Sequence, residues 1–252
     1  MRVAIHQPHY FPWLGYFDKM AKADAFILLD QVQFVKASQM VRNRIINPNG
    51  ELQYLTIMAD KRGYCDKMYS EILTVNNKEW KAKNLSLLRA WYRKGKGYDE
   101  MIQHMERFFE KDFLTVCEWT IASINMVREL LDVQTPLILQ SNVPYDHNNK
   151  KSDMDMELCK AVGADTYFSG RGASVEYLDR EKFAENGVKI VFQDFTHPVY
   201  AQCNSKEFIP GISVLDLLFN CGVEESRRIF WENVHSTHEF DEIEVQACNS
   251  ST

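Results

Sequence analysis

The chain has 252 residues, 45% hydrophobic and 25% charged, with a formal net charge of −6 and a pI near 5.7. That length holds one sizeable domain or two small ones, and the acidic balance excludes a general attraction to nucleic acid or anionic lipid, although Lys and Arg are unevenly spread. No window approaches the ~20 apolar residues of a membrane span and no leader-like segment opens the chain, so a cytoplasmic protein without a membrane span is expected.

Residues 3–5 read as a short buried strand, ended by His6-Gln7-Pro8-His9-Tyr10-Phe11-Pro12-Trp13. Gly15 to Ala23 has helical spacing with Phe17 and Met20 on one face, and Ala25–Leu29 is a second apolar run of strand length. Strand, helix and strand within about 30 residues make a βαβ unit and therefore a parallel sheet. Asn47-Pro48-Asn49-Gly50 is a turn signal between two β-rich runs, which predicts a hairpin over roughly 40–58. A short strand is expected at Ile72–Val75.

The segments Lys78–Arg93, Tyr98–Phe109 and Leu114–Leu131 repeat apolar residues at helical spacing and predict a helical subdomain over about 78–132. Strand–helix alternation then resumes, with strands at 137–140, 166–168 and 188–192 and a helix over 154–162. Residues 207–230 predict two helices parted near Cys221–Gly222, and about 236–252 reads as a polar, flexible tail. The expected fold is a single α/β domain over 1–235, a parallel Rossmann-like sheet with a β-hairpin and a helical insertion. The six cysteines form no C-x-x-C pair and read as reduced and mostly buried.

In an open parallel sheet ligands bind beyond the carboxyl ends of the strands, so the loops there carry the candidate site. His6 and His9 suit a general base and its partner, or hydrogen bonding within the loop. No third His or carboxylate lies near them in sequence, so no metal site is read. Pro8 and Pro12 stiffen the loop, and Tyr10, Phe11 and Trp13 suit either the wall of a ring-binding pocket or a hydrophobic plug. Asp30 and Gln33 follow the second strand, with Lys36 beyond them. Alternation sets Arg42 and Arg44 on one face of the hairpin, either to grip a diphosphate or to face solvent. Ser141 follows the strand at 137, and Gln193-Asp194-Phe195 the strand at 188. Ser169-Gly170-Arg171-Gly172 is a plain turn or a backbone cradle for an anion with Arg171 as clamp. It is neither a P-loop nor a G-x-G-x-x-G fingerprint. The residues thus point to an enzyme for an anionic, ring-bearing substrate, with the reaction itself not legible.

The stretch HQPHYFPWLGYFDKMAKAD, with DQVQF, NRI, SGRGASVEYLD and ISVLDLLFNCG, resembles the WbqC-like protein family from Met1 to about Val234. Its pattern falls on His6, Gln7, Tyr10, Asp30, Gln33, Asn43, Arg44, Ser141, Ser169, Gly170, Tyr177, Tyr200, Ser213 and Asp216, among others. The family occurs in bacterial gene clusters for O-antigen and other surface polysaccharides. The resemblance implies a transferase that tailors a nucleotide-linked amino sugar by acyl or aminoacyl transfer, with the nucleotide sugar as small-molecule partner. Asp216, inside an apolar helix, reads as an organiser that bonds another loop. A second, partial similarity is to HIGH-type nucleotidyltransferases and pantothenate synthetase, which begin with a strand, a His-bearing loop and a helix. It implies ATP with magnesium and an adenylate, but Trp13-Leu14-Gly15-Tyr16 stands where those enzymes carry their two histidines. A non-enzymatic scaffold of a polysaccharide assembly complex is the third reading. The oligomeric state is open.

Overall fold

The computed structural model describes residues 1–172, 174–236 and 239–241. The chain opens with β1 (Arg2–His6), α1 (Leu14–Ala21) and β2 (Ala25–Leu28), continues through a hairpin of β3 (Arg42–Ile46) and β4 (Leu52–Thr56), and then enters three helices, α2 (Asn77–Trp91), α3 (Tyr98–Glu110) and α4 (Val116–Leu130). It returns to strand–helix alternation with β5 (Leu137–Leu139), α5 (Ser152–Ala161), β6 (Thr166–Ser169), the short helices α6 (Ser174–Tyr177) and α7 (Arg180–Glu185), and β7 (Lys189–Gln193). It ends in α8 (Leu215–Cys221), α9 (Val223–Ser236) and β8 (Glu239–Asp241).

The main sheet has the order β5-β2-β1-β6-β7-β8. Five strands are parallel, and β8 pairs antiparallel to β7 at the edge. Taken in chain order, the parallel strands lie third, second, first, fourth, fifth, which is a Rossmann-like order. The hairpin forms its own two-stranded sheet, β3 against β4. Its turn is made by Asn47, whose Oδ1 accepts from the amides of Asn49 and Glu51, and by Gly50 at a φ of 83°.

The short central strands are apolar on both faces because both faces are covered. Ala4, Phe26, Leu28, Phe168 and Val191 point into one core, shared with α1, the helical insertion, α8 and α9. Val3, Ile5, Ala25, Ile27, Tyr167 and Ile190 point into a second core, closed by Met156, Leu158 and Cys159 of α5 and Phe183 of α7. Each large apolar side chain buried this way contributes roughly 1.5–3 kcal/mol. The three insertion helices carry Trp80, Met105, Phe108 and Trp119 into the first core.

Three sequence expectations are corrected. Ile72–Val75 is no strand: a 3-10 turn at Tyr69–Glu71 leads into isolated bridges from Leu73 to Thr115 and from Thr74 to Ala59. Helix α7 was not expected, and it starts where the Asp179 carboxylate accepts from the Lys182 amide. Glu239–Asp241, within the stretch read as a tail, is strand β8, and the remainder of that stretch after Ser236 lies outside the described residues, as does Cys248.

Candidate functional site

Strand order places the chain's reversal between β1 and β6, the position at which open α/β sheets bind ligands. The register shows how the crevice opens. β1 pairs with β2 as far as His6↔Leu28, but with β6 only as far as Ala4↔Phe168. Successive carbonyls of a strand point to opposite sides, and the His6 carbonyl accepts from Leu29 on the β2 side. The Ile5 carbonyl therefore faces the side where β6 has stopped pairing. It is taken by the Lys19 ammonium of α1, 2.9 Å away.

Two clefts meet at this point. One, of about 470 Å3, lies between α1 and the loops after β6 and β7 and is lined by His6, Trp13, Tyr16, Lys19, Arg171, Asp194 and Phe195, among others. Trp13 and Phe195 meet edge to face at 5.1 Å, and Arg171 and Asp194 stand 3.6 Å apart, both partly exposed. Trp13 lies flat on the start of α1 because Gly15 has no side chain; a Cβ there would overlap the indole. The other cleft, of about 320 Å3, lies toward α5 and α6 and is lined by His6, Gln7, Lys19, Asp155, Ser169, Ser174 and Tyr177, among others. Both volumes are within the range of small-molecule sites.

Burial sets the protonation of these groups. Lys19 is 4% exposed, and desolvation lowers the pKa of its ammonium to about 7, opposed by the Asp155 charge. Desolvation raises Asp155 to about 7, opposed by hydrogen bonds from Tyr177 and Tyr167 and by the Lys19 charge. His6 reaches the clefts with part of its ring, and desolvation, with the Lys19 and His9 charges, holds its pKa well below 6.5. Its Nδ1 lies 2.9 Å from the Gln7 carbonyl, which can only accept. Nδ1 therefore carries the proton of the neutral ring and Nε2 keeps a lone pair. His9 is buried behind it, ring to ring at 4.6 Å, with its pKa lowered to about 3 by desolvation and by the Lys19 charge.

The loop that carries these histidines is held at Phe11, whose φ of 40° is in the left-handed region that a bulky residue avoids. Three side chains hold that turn. Asn43 Nδ2 and Ser213 Oγ donate to the Phe11 carbonyl at 2.7 and 2.9 Å, and the Phe11 amide donates to Ser123 Oγ at 3.0 Å. The strand–loop–helix corner is thus pinned from the hairpin, from α4 and from the residues before α8.

The structure brings together His6, Gln7, Trp13, Ser169, Gly170 and Arg171 of the residues expected from sequence, with His9 behind them. The others are elsewhere. Asp30 is buried, and its Oδ1 accepts from the Ser141 amide, tying the loops after β2 and β5. Tyr10 is fully buried with its hydroxyl against Asn84, so it is core and not a cleft wall. Gln33 donates to the Cys65 carbonyl, and Lys36 sits over the Tyr64 ring. Arg42 and Arg44 do share a face, but Arg42 lies on the Tyr54 ring and Arg44 donates to the Gly211 carbonyl. Asn43 braces Phe11. Tyr200 donates to Asp216, which also accepts from Tyr92 and Gln202, so Asp216 is the organiser expected of it.

A family model for WbqC-like proteins matches residues 7–228. The chain belongs to the WbqC-like protein family. It is also similar to the uncharacterized protein Rv1507c of Mycobacterium tuberculosis, 29% identical over 225 residues, covering 88% of this chain and 95% of that one. No solved structure matches the chain. Among the described residues of this WbqC-like chain, no group of three or more His, Cys, Asp or Glu side chains could hold a metal ion, and no helix is long and apolar enough to cross a membrane.

Sequence reading missed Lys19 and Asp155, the two buried charges of the site. Lys19 carried one signal: it stands between Phe17 and Met20 in the mostly apolar helical run Leu14–Ala21. Asp155 stands in a run of alternating acids and methionines that looks like a solvated helix start.

Proposed function

We propose that this WbqC-like protein is an enzyme of bacterial surface-polysaccharide synthesis, tailoring a nucleotide-linked amino sugar by acyl or aminoacyl transfer at the crevice between β1 and β6. The observation that carries this reading is the meeting of two clefts at His6 and Lys19, beyond the carboxyl ends of the first and fourth parallel strands. Transfer needs the amine and the acyl carbonyl held side by side where the clefts meet, and a group to take a proton there. As the amino nitrogen attacks the acyl carbonyl, it loses a proton and the carbonyl's leaving group departs. His6 is neutral at pH 7, with Nε2 as the lone pair that accepts that proton. The edge-to-face pair Trp13 and Phe195, with Arg171 at the mouth, supplies an apolar slot and a cation for a base and its phosphates.

A thermal-shift panel of UDP, dTDP, GDP, ATP with magnesium, and coenzyme A tests the reading. A ligand at a hundred times its Kd stabilises a fold by about 2.7 kcal/mol, roughly 5–10 °C for a chain of this size. A shift with UDP or dTDP is expected. A shift with ATP alone would replace the reading by adenylate chemistry, and no shift with any nucleotide would favour the scaffold.

A further inference from the structure

The cleft toward α5 contains a buried carboxylate for which the nucleotide has no use. Asp155 is 2% exposed. The phenols of Tyr167 and Tyr177 both donate to one of its oxygens, Oδ2, at 3.3 and 3.2 Å. Among the described residues nothing donates to the other oxygen, Oδ1. Oδ1 is not one of the fully buried acceptors left without a partner, so it is reached from the cleft that Asp155 lines and is open to a donor there. The Asp155 side chain lines the 320 Å3 cleft with Ser169, Ser174 and Tyr177. The nearest cation, Lys19, gives its hydrogen bond to the Ile5 carbonyl.

We propose that this cleft is the subsite for the amine-bearing sugar of the nucleotide-linked substrate, whose nitrogen donates to Asp155 Oδ1 while its base and phosphates occupy the cleft of Trp13 and Phe195. The chemistry of the two clefts differs in the required sense. To the His6 and Lys19 that both clefts share, the α5 side adds a carboxylate, two phenols and two serine hydroxyls, and the β7 side adds the aromatic faces of Trp13 and Phe195 and a guanidinium that stands beside the Asp194 carboxylate. A substrate ammonium would also compensate the buried carboxylate, as a buried charge requires. The proposal rests on the transferase reading for what the second cleft holds, but the amine subsite stands or falls by its own ligand.

The test is saturation-transfer NMR and calorimetry with glucosamine, glucose and UDP as probes. Glucosamine is expected to bind and glucose to bind at least about tenfold more weakly, a difference of 1.4 kcal/mol. Glucosamine and UDP should bind together. Asp155→Asn should weaken glucosamine about tenfold or more and leave UDP within about twofold. Tyr177→Phe, at a partly exposed position, guards against a misfolded Asp155 variant and should weaken glucosamine alone. Equal binding of glucose and glucosamine, no binding of glucosamine, competition by UDP, or indifference to both variants would overturn the subsite. Binding of glucosamine that depends on Asp155, with no binding of UDP, would keep the subsite and reject the nucleotide reading.

Discussion

Asp155 holds its proton to about pH 7 because burial penalises the carboxylate more than its phenols and Lys19 favour it. A carboxyl whose folded pKa lies above its unfolded value of about 4 contributes stability that is full below that value and is lost as pH rises through 7. Asp155→Asn removes that loss. We expect the variant to gain on the native protein between pH 5 and pH 8 by about 2–3 kcal/mol, at about 1.4 kcal/mol per pKa unit. Urea unfolding at the two pH values checks it, and an equal difference at both would show that the carboxyl is not held protonated. Lys19 acts in the opposite sense: with its pKa lowered to about 7, its burial costs most below that pH. Neither group was legible as a site residue. Lys19 and Asp155 are 136 positions apart, and only the arrival of β6 beside β1 closes the pocket around them. His6 was legible because it ends a strand, where any parallel sheet exposes its ligand side.

The element that defines the site is the loop from Gln7 to Trp13, and its shape is imposed from outside. Asn43 and Ser213 hold the Phe11 carbonyl and Ser123 holds the amide, so the positive φ of Phe11 is set by three distant segments. Asn43→Ala removes a buried donor and leaves that strained turn less supported. A loss of about 1–3 kcal/mol is expected, read as a lower urea midpoint with unchanged slope. Gly15→Ala tests the other end of the loop. The methyl would displace the Trp13 indole, so tryptophan fluorescence should shift and UDP affinity fall while the helix persists. The hairpin, the three insertion helices and the break at Gly222 were legible because turn chemistry and helical period act locally. Phe11 was not, since a left-handed phenylalanine has no local cause. Arg42 and Arg44 show the limit of alternation: it fixed their common face but not their partners, Tyr54 and the Gly211 carbonyl.

At the scale of the whole molecule, the sheet order decides where chemistry can occur. A βαβ start was enough to expect a parallel sheet. The position of β6 on the far side of β1, which creates the crevice, depends on a crossover after the whole helical insertion. Loops after β2 and β5 are tied to one another by Asp30 and Ser141, and the crevice is left to the loops after β1, β6 and β7. On the proposed reading, the working centre of this chain is the crevice at His6, Lys19 and Asp155, and the hairpin arginines Arg42 and Arg44 are engaged by the Tyr54 ring and the Gly211 carbonyl.

The most direct measurement is the calorimetric affinity of UDP for the native protein, for Trp13→Ala and for Arg42→Ala. The crevice account predicts that Trp13→Ala weakens UDP by about tenfold or more and that Arg42→Ala leaves it within about twofold. The opposite pattern, loss at Arg42 with Trp13 indifferent, would put the anion site on the hairpin and contradict the account.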